Sequence, residues 1–114
     1  MELYAEEIPE FGVETFMADL DGSKCKSMRG FYNQISRTLL FPEYFGRNLD
    51  ALFDCLCSLE VTGRSEVVLV IRNYARFLEK ENTDKRLEVR DLLAQAEERA
   101  NRTDGIIFKV ITMK

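Results

Sequence analysis

Apolar positions divide this chain into two kinds of periodicity. Residues 11–20, FGVETFMADL, are apolar and β-compatible and end at Asp21-Gly22, which predicts a strand. Residues 27–39 carry Met28, Phe31, Tyr32, Ile35 and Leu39, a helical stripe that Ser27 caps and Leu40-Phe41-Pro42 ends. A second helix is expected from about Asn48 to Leu59, with Asn48 as N-cap and Gly46 reversing the backbone before it. EVVLVI at 66–71 is apolar without alternation, as in a strand covered on both faces. Asn73 then caps a short helix carrying Tyr74, Phe77 and Leu78. A longer helix follows over 84–101, with Leu87, Val89, Leu92, Leu93, Ala96 and Ala100 inward, and Gly105 turns the chain into a buried strand at 106–112.

Helical connections between apolar strands imply parallel pairing. The expected class is therefore α/β, a small three-stranded parallel sheet packed with about four helices. With 114 residues and no repeat or linker, the chain reads as a single domain over 1–114. Residues 1–10, MELYAEEIPE, are left over as an acidic arm or an added edge strand.

Charge sharpens this picture. Residues 1–22 hold seven acids and no base, and the whole chain carries a net −4. Acidic segments suit a basic protein partner and disfavour direct nucleic-acid binding, which needs the opposite sign. The start lacks the basic-then-apolar layout of a signal peptide, and no apolar run is long enough to span a bilayer, so a cytoplasmic protein without membrane contact is expected. Histidine is absent, which removes the commonest general base and metal ligand. Three cysteines, Cys25, Cys55 and Cys57, form no CxxC pair and read as reduced thiols. No metal or other cofactor is expected.

The informative stretch is FPEYFGRNLDALFDCL, residues 41–56. On a helical wheel Leu49, Leu52, Leu56 and Leu59 form the core stripe, while Asp50 and Asp54 share a face turned away from it. Phe53 sits on the border between them. Two aspartates at i and i+4 repel by roughly 0.7 kcal/mol across about 6 Å of water. A solvated helix face tolerates this, and a cationic partner relieves it. Phe53 and Tyr44 beside the pair complete the make-up of an interface anchor. A hydrolase using the two carboxylates is the enzymatic alternative, but the chain has no tryptophan to serve as a sugar platform. The mixed charges over 79–102 read as a solvated face.

PEYFGRNLDALFDCL also resembles the signature of the barstar family, intracellular protein inhibitors of barnase-type ribonucleases. The matching positions are Pro42, Glu43, Tyr44, Gly46, Asn48, Leu49, Asp50, Ala51, Leu52, Asp54, Cys55 and Leu56. The resemblance covers about residues 13–112 and implies a three-stranded parallel sheet with helices. It implies a non-enzymatic immunity protein, monomeric when free, that plugs the active site of a basic ribonuclease or nuclease toxin. Asp50 and Asp54 would stand where substrate phosphates lie, Tyr44 would pack on the side of the catalytic histidine, and Gly46, Asn48 and Phe53 would line the same surface. Departures fall at the periphery. Phe45 stands where tyrosine is common, Phe53 at a tryptophan-like position, and Arg47 where an acid is frequent. Leu59 stands where a second exposed tryptophan is expected, and Gln95 near an expected acidic contact that Glu97 or Glu98 could replace. A barstar-like module for another basic protein or a different nuclease toxin is the alternative function.

Overall fold

The computed structural model describes residues 1–102 and 106–114. Four strands, Glu2–Ala5 (β1), Thr15–Asp21 (β2), Glu66–Arg72 (β3) and Ile107–Met113 (β4), form one sheet in the order β1-β4-β3-β2. Every neighbouring pair is parallel. Three α-helices, Met28–Thr38 (α1), Leu49–Leu56 (α2) and Thr83–Arg102 (α3), connect them with three short 3-10 turns.

The sheet thus has four strands where the sequence pattern predicts three, and three α-helices where it predicts about four. The extra strand is β1, which pairs with β4 through Glu2 opposite Ile111 and Ala5 opposite Met113. It is only four residues long and mostly exposed, so it shows no apolar alternation. Its register is broken at Tyr4, whose φ of 55° lies in the left-handed region. The Tyr4 N–H is satisfied instead by the Thr112 hydroxyl oxygen at 2.8 Å.

The two faces of the sheet are covered differently. Alternate residues Ala18, Leu20, Val67, Leu69, Ile71, Phe108 and Val110 meet the apolar stripes of the helices, including Phe31 and Ile35 of α1, Leu52 and Leu56 of α2, and Val89, Leu93 and Ala96 of α3. On the other face Val68, Val70 and Ile111 pack under Ala5, Ile8, Phe11 and Met113. The acidic N-terminal arm is therefore the lid of the second face, and β3 is covered on both sides as its apolar run predicts. β4 is not: Ile107 and Lys109 lie exposed at its start.

Several local expectations meet the structure with corrections. Ser27 caps α1 by accepting from the Gly30 N–H at 3.2 Å, as expected. The first strand starts at Thr15 rather than Phe11, because residues 8–11 turn back over the sheet. α2 ends at Leu56, and Leu59 belongs to a following 3-10 turn, Leu59–Thr62. Asn73 stands at the N-cap of only a 3-10 turn, Tyr74–Arg76, and its side chain makes no capping bond: it adopts φ 51° and its amide donates to Asp21 at 2.9 Å instead. Leu87 points outward, 41% exposed, since the apolar stripe of α3 runs through Val89, Leu93 and Ala96. The expected turn at Gly105 lies outside the described residues. Among the described residues, no helix is long and apolar enough to cross a membrane.

Candidate functional site

The loop before α2 is built around one inward ring. Phe45 is buried edge-on against Tyr32, at a centroid distance of 5.7 Å, and against Phe41 at 5.1 Å. With Phe45 anchored, its neighbour Tyr44 is directed to solvent and is 88% exposed. A hydroxyl at position 45 would lie in this buried aromatic cluster, so phenylalanine changes the packing there and not the exposed surface.

The chain then reverses at Arg47, not at Gly46: Arg47 takes φ 51°, while Gly46 has no positive φ. Gly46 is needed for a different reason. A Cβ there would meet the Asn48 amide nitrogen at 3.1 Å and the Ala51 Cβ at 3.5 Å. That space holds the cap itself. The Asn48 Oδ1 accepts from the Ala51 N–H at 2.8 Å while its Nδ2 donates to the Gly46 carbonyl at 3.2 Å. Arg47 donates to Asn33 on α1. Its guanidinium is thereby directed toward α1, and Arg47 borders a different depression from the one that holds the aspartates.

From this cap α2 projects Leu52 and Leu56 into the core, leaves Phe53 half-buried, and exposes Asp50 and Asp54. The wheel places these residues correctly because an eight-residue helix with one buried stripe has only one way to face the sheet. Asp50, Phe53 and Asp54 form one wall of a groove of about 660 Å³ between α2 and α3. Glu88, Asp91, Leu92 and Gln95 of α3 form the other. Leu49, Phe53 and Leu92 give it an apolar floor, and carboxylates stand on both banks.

The carboxylates of Asp50, Asp54 and Asp91 make no hydrogen bond or ion pair among the described residues. Glu88 is paired with Lys85 at 3.0 Å. Burial, reinforced by Glu88, raises the Tyr32 hydroxyl above its ordinary range. Burial and the nearby Asp54 likewise raise the Cys55 thiol, and burial raises Cys25 to about 11. All three cysteines are free, and these two thiols are held protonated rather than activated. Among the described residues, no three His, Cys, Asp or Glu side chains are placed to hold a metal ion.

The structure brings Asp50, Phe53 and Asp54 to one groove, with Tyr44 on the far side of Asp54 beside a second depression. Gly46 and Asn48 build the loop and line neither. Gln95 does reach the first groove, whereas Glu97 is turned away, accepting from the Met1 amino group and from the Val110 N–H at 2.8 Å. Leu59 is buried in the core rather than exposed. Sequence reasoning missed Glu88 and Asp91, which were part of an apparently solvated charged face. The signal was present: Glu88, Asp91, Leu92 and Gln95 recur at i, i+3, i+4 and i+7, one face of a helix.

Comparison with known proteins bears on what such a groove is for. The family model described as Barstar (barnase inhibitor) matches residues 15–112. A protein of Bacillus subtilis (strain 168), named "Putative ribonuclease inhibitor YrdF", is 37% identical over an alignment of 57 residues that covers 48% of this chain and 57% of that protein. The chain thus spans little more than half the length of that curated relative.

Proposed function

The chain belongs to the barstar family, and from that premise we propose that it is a stoichiometric protein inhibitor of a barnase-type ribonuclease. In this reading it is a single barstar-like domain over residues 1–114, monomeric when free, which acts in the cytoplasm as an immunity protein and carries out no chemistry of its own. Inhibition comes from occlusion. α2 and the loop before it enter the enzyme's cleft, and Asp50 and Asp54 take the positions of substrate phosphates. Tyr44, Gly46, Asn48 and Phe53 belong to the same contact, the first and last as rings against the enzyme and the middle two as the framework that holds the loop.

The observation that carries this reading is the unpaired state of Asp50 and Asp54 on an exposed helix face beside a half-buried ring. A basic enzyme cleft must surrender counter-charge when RNA is excluded. Two fixed carboxylates supply it while the mutual repulsion of the aspartates is relieved. Titrating the protein into a barnase-type ribonuclease while following RNA cleavage tests this. Activity should fall linearly to zero at one equivalent. Activity that persists at several equivalents would sink the inhibitor reading.

Two observations favour a second reading, a barstar-like module for a different nuclease toxin or another basic protein. Gln95 puts an uncharged amide in the groove, and Leu59 is withdrawn into the core. Capture of a host protein that is basic but not a nuclease, at the same helix face, would select it.

A further inference from the structure

Asp54 stands on a ridge. On one side lies the acidic groove toward α3, and on the other a depression of about 340 Å³ walled by Leu40, Phe41, Pro42, Tyr44, Cys55 and Ser58. The second depression is mainly apolar, and Asp54 supplies its one carboxylate.

Leu40 in its wall is held in an unusual way. It has φ 58° and is 48% exposed. The position follows the end of α1, where Leu39 donates to the Ile35 carbonyl at 2.9 Å and Phe41 to the Ser36 carbonyl at 2.8 Å. A helix termination of this kind ordinarily takes glycine, which meets a positive φ without steric cost. A leucine here adds strain, and half of its side chain stays in water. Neither the helix end nor the core requires it. What it does is raise one wall of an apolar depression beside the most exposed ring of the molecule, Tyr44.

We propose that this depression receives one large apolar side chain, phenylalanine, leucine or methionine, of the same ribonuclease that Asp50 and Asp54 engage. The inference rests on the inhibitor reading and adds a specificity element to it. The size, at the small end of ordinary ligand clefts of about 300–1,000 Å³, suits a single anchoring side chain. Because Asp54 borders both depressions, a partner that covers this carboxylate covers the apolar site as well. A second copy of the chain is a poor occupant, since two such faces would bring Asp50 and Asp54 against their own counterparts without a cation between them. The cognate enzyme is accordingly one that carries an apolar side chain next to its cationic cleft.

Two variants and one probe test this. Ser58 is exposed and its side chain makes no capping bond, so Ser58→Trp fills the depression from the surface. Leu40→Gly removes the wall at a position where glycine is at ease. Both are expected to weaken inhibition of a barnase-type ribonuclease at least tenfold, by faster dissociation, with the salt dependence of association unchanged. In amide NMR spectra of the free protein, N-acetyl-phenylalanine amide should shift Leu40, Tyr44, Cys55 and Ser58 saturably. N-acetyl-lysine amide should not, and Ser58→Trp should abolish the effect. Full inhibition by both variants, or absence of those shifts while the parent still inhibits, would overturn the apolar site and leave the inhibitor reading standing. A parent that inhibits nothing yet shows the shifts would refute the inhibitor reading, and with it the occupant named here.

Discussion

The two carboxylates at the C-terminal end of β2 and the two on the outer face of α2 are used in opposite ways. Asp19 receives the Arg72 guanidinium at 2.9 Å, tying β2 to β3. Asp21 accepts from the Ser23 N–H at 2.9 Å, the Ser23 hydroxyl at 2.7 Å and the Asn73 amide at 2.9 Å. Those bonds hold the Asp21 carboxyl at about 2, below its ordinary 3.8. Asp50 and Asp54 have no such partners. Their backbone is fixed by the Asn48 cap and by the leucine stripe beneath, while their charge is left for something outside the molecule. Net charge alone does not distinguish the two groups. What distinguishes them is whether a donor lies within reach, and an acid that the fold does not consume is the one open to a partner.

This contrast can be broken from either side. The largest effect is expected at Asp54. Asp54→Ala should leave thermal stability within about 0.5 kcal/mol, as for exposed residues without partners. It should weaken ribonuclease binding by at least about 2–5 kcal/mol, the usual cost of truncating one half of a desolvated charge pair; barnase–barstar is itself a known case of such pairs, with couplings of about 1.5–7 kcal/mol. Calorimetry on the free protein and an inhibition assay separate the two quantities. Next comes an acid that the fold does consume. Glu97→Ala strips the Val110 N–H of its acceptor and should lower stability by about 1–3 kcal/mol in urea unfolding, with inhibition at one equivalent unchanged below the melting transition. Between the groups sits Asn48→Ala, which removes the α2 cap and should cost about 1 kcal/mol of stability. Because the cap also sets the direction of α2, affinity should fall with it.

The smallest and most specific effect concerns pH. Asp21 is bound less tightly by protons when folded than when unfolded, so its contribution is present above about pH 3.8 and is lost as pH falls toward 2. Asp21→Ala should therefore be less stable than the parent at neutral pH, and the two acid-unfolding curves should converge near pH 2. A stability gap that stays constant down to pH 2 would show that the Asp21 bonds do not depend on its ionised form.

Legibility in the sequence followed the same division. Stripes that end in the core were readable, because Phe31 and Ile35, Leu52 and Leu56, or the run at 66–71 must face apolar neighbours wherever the sheet lies. The outer face of α2 followed by subtraction. Features that depend on a second element were left open or missed: residues 1–10 read equally as an arm or as an edge strand, and the structure makes them the edge strand β1. β1 has no alternation of its own and exists because the edge of β4 accepts it. Leu87 fits a helical stripe by spacing, yet the stripe that α3 buries is rotated away from it. Arg47 looked like a basic intrusion into the site until Asn33 on α1 provided a partner. Asp91 was counted among solvated charges because nothing in a linear reading places α3 opposite α2. The positive φ at Leu40 and Arg47 breaks the usual preference for glycine or asparagine, so local turn chemistry gave no warning of either.

The central claim is that unpaired carboxylates on α2 act as a fixed counter-charge for a ribonuclease cleft. The most direct test is the association rate with a barnase-type ribonuclease across a series of ionic strengths, for the parent, for the Asp50→Asn/Asp54→Asn double variant and for Asp19→Asn. The account predicts a steep fall with salt for the parent and for Asp19→Asn, and a clearly shallower one for the double variant. The same slope for all three proteins would contradict it.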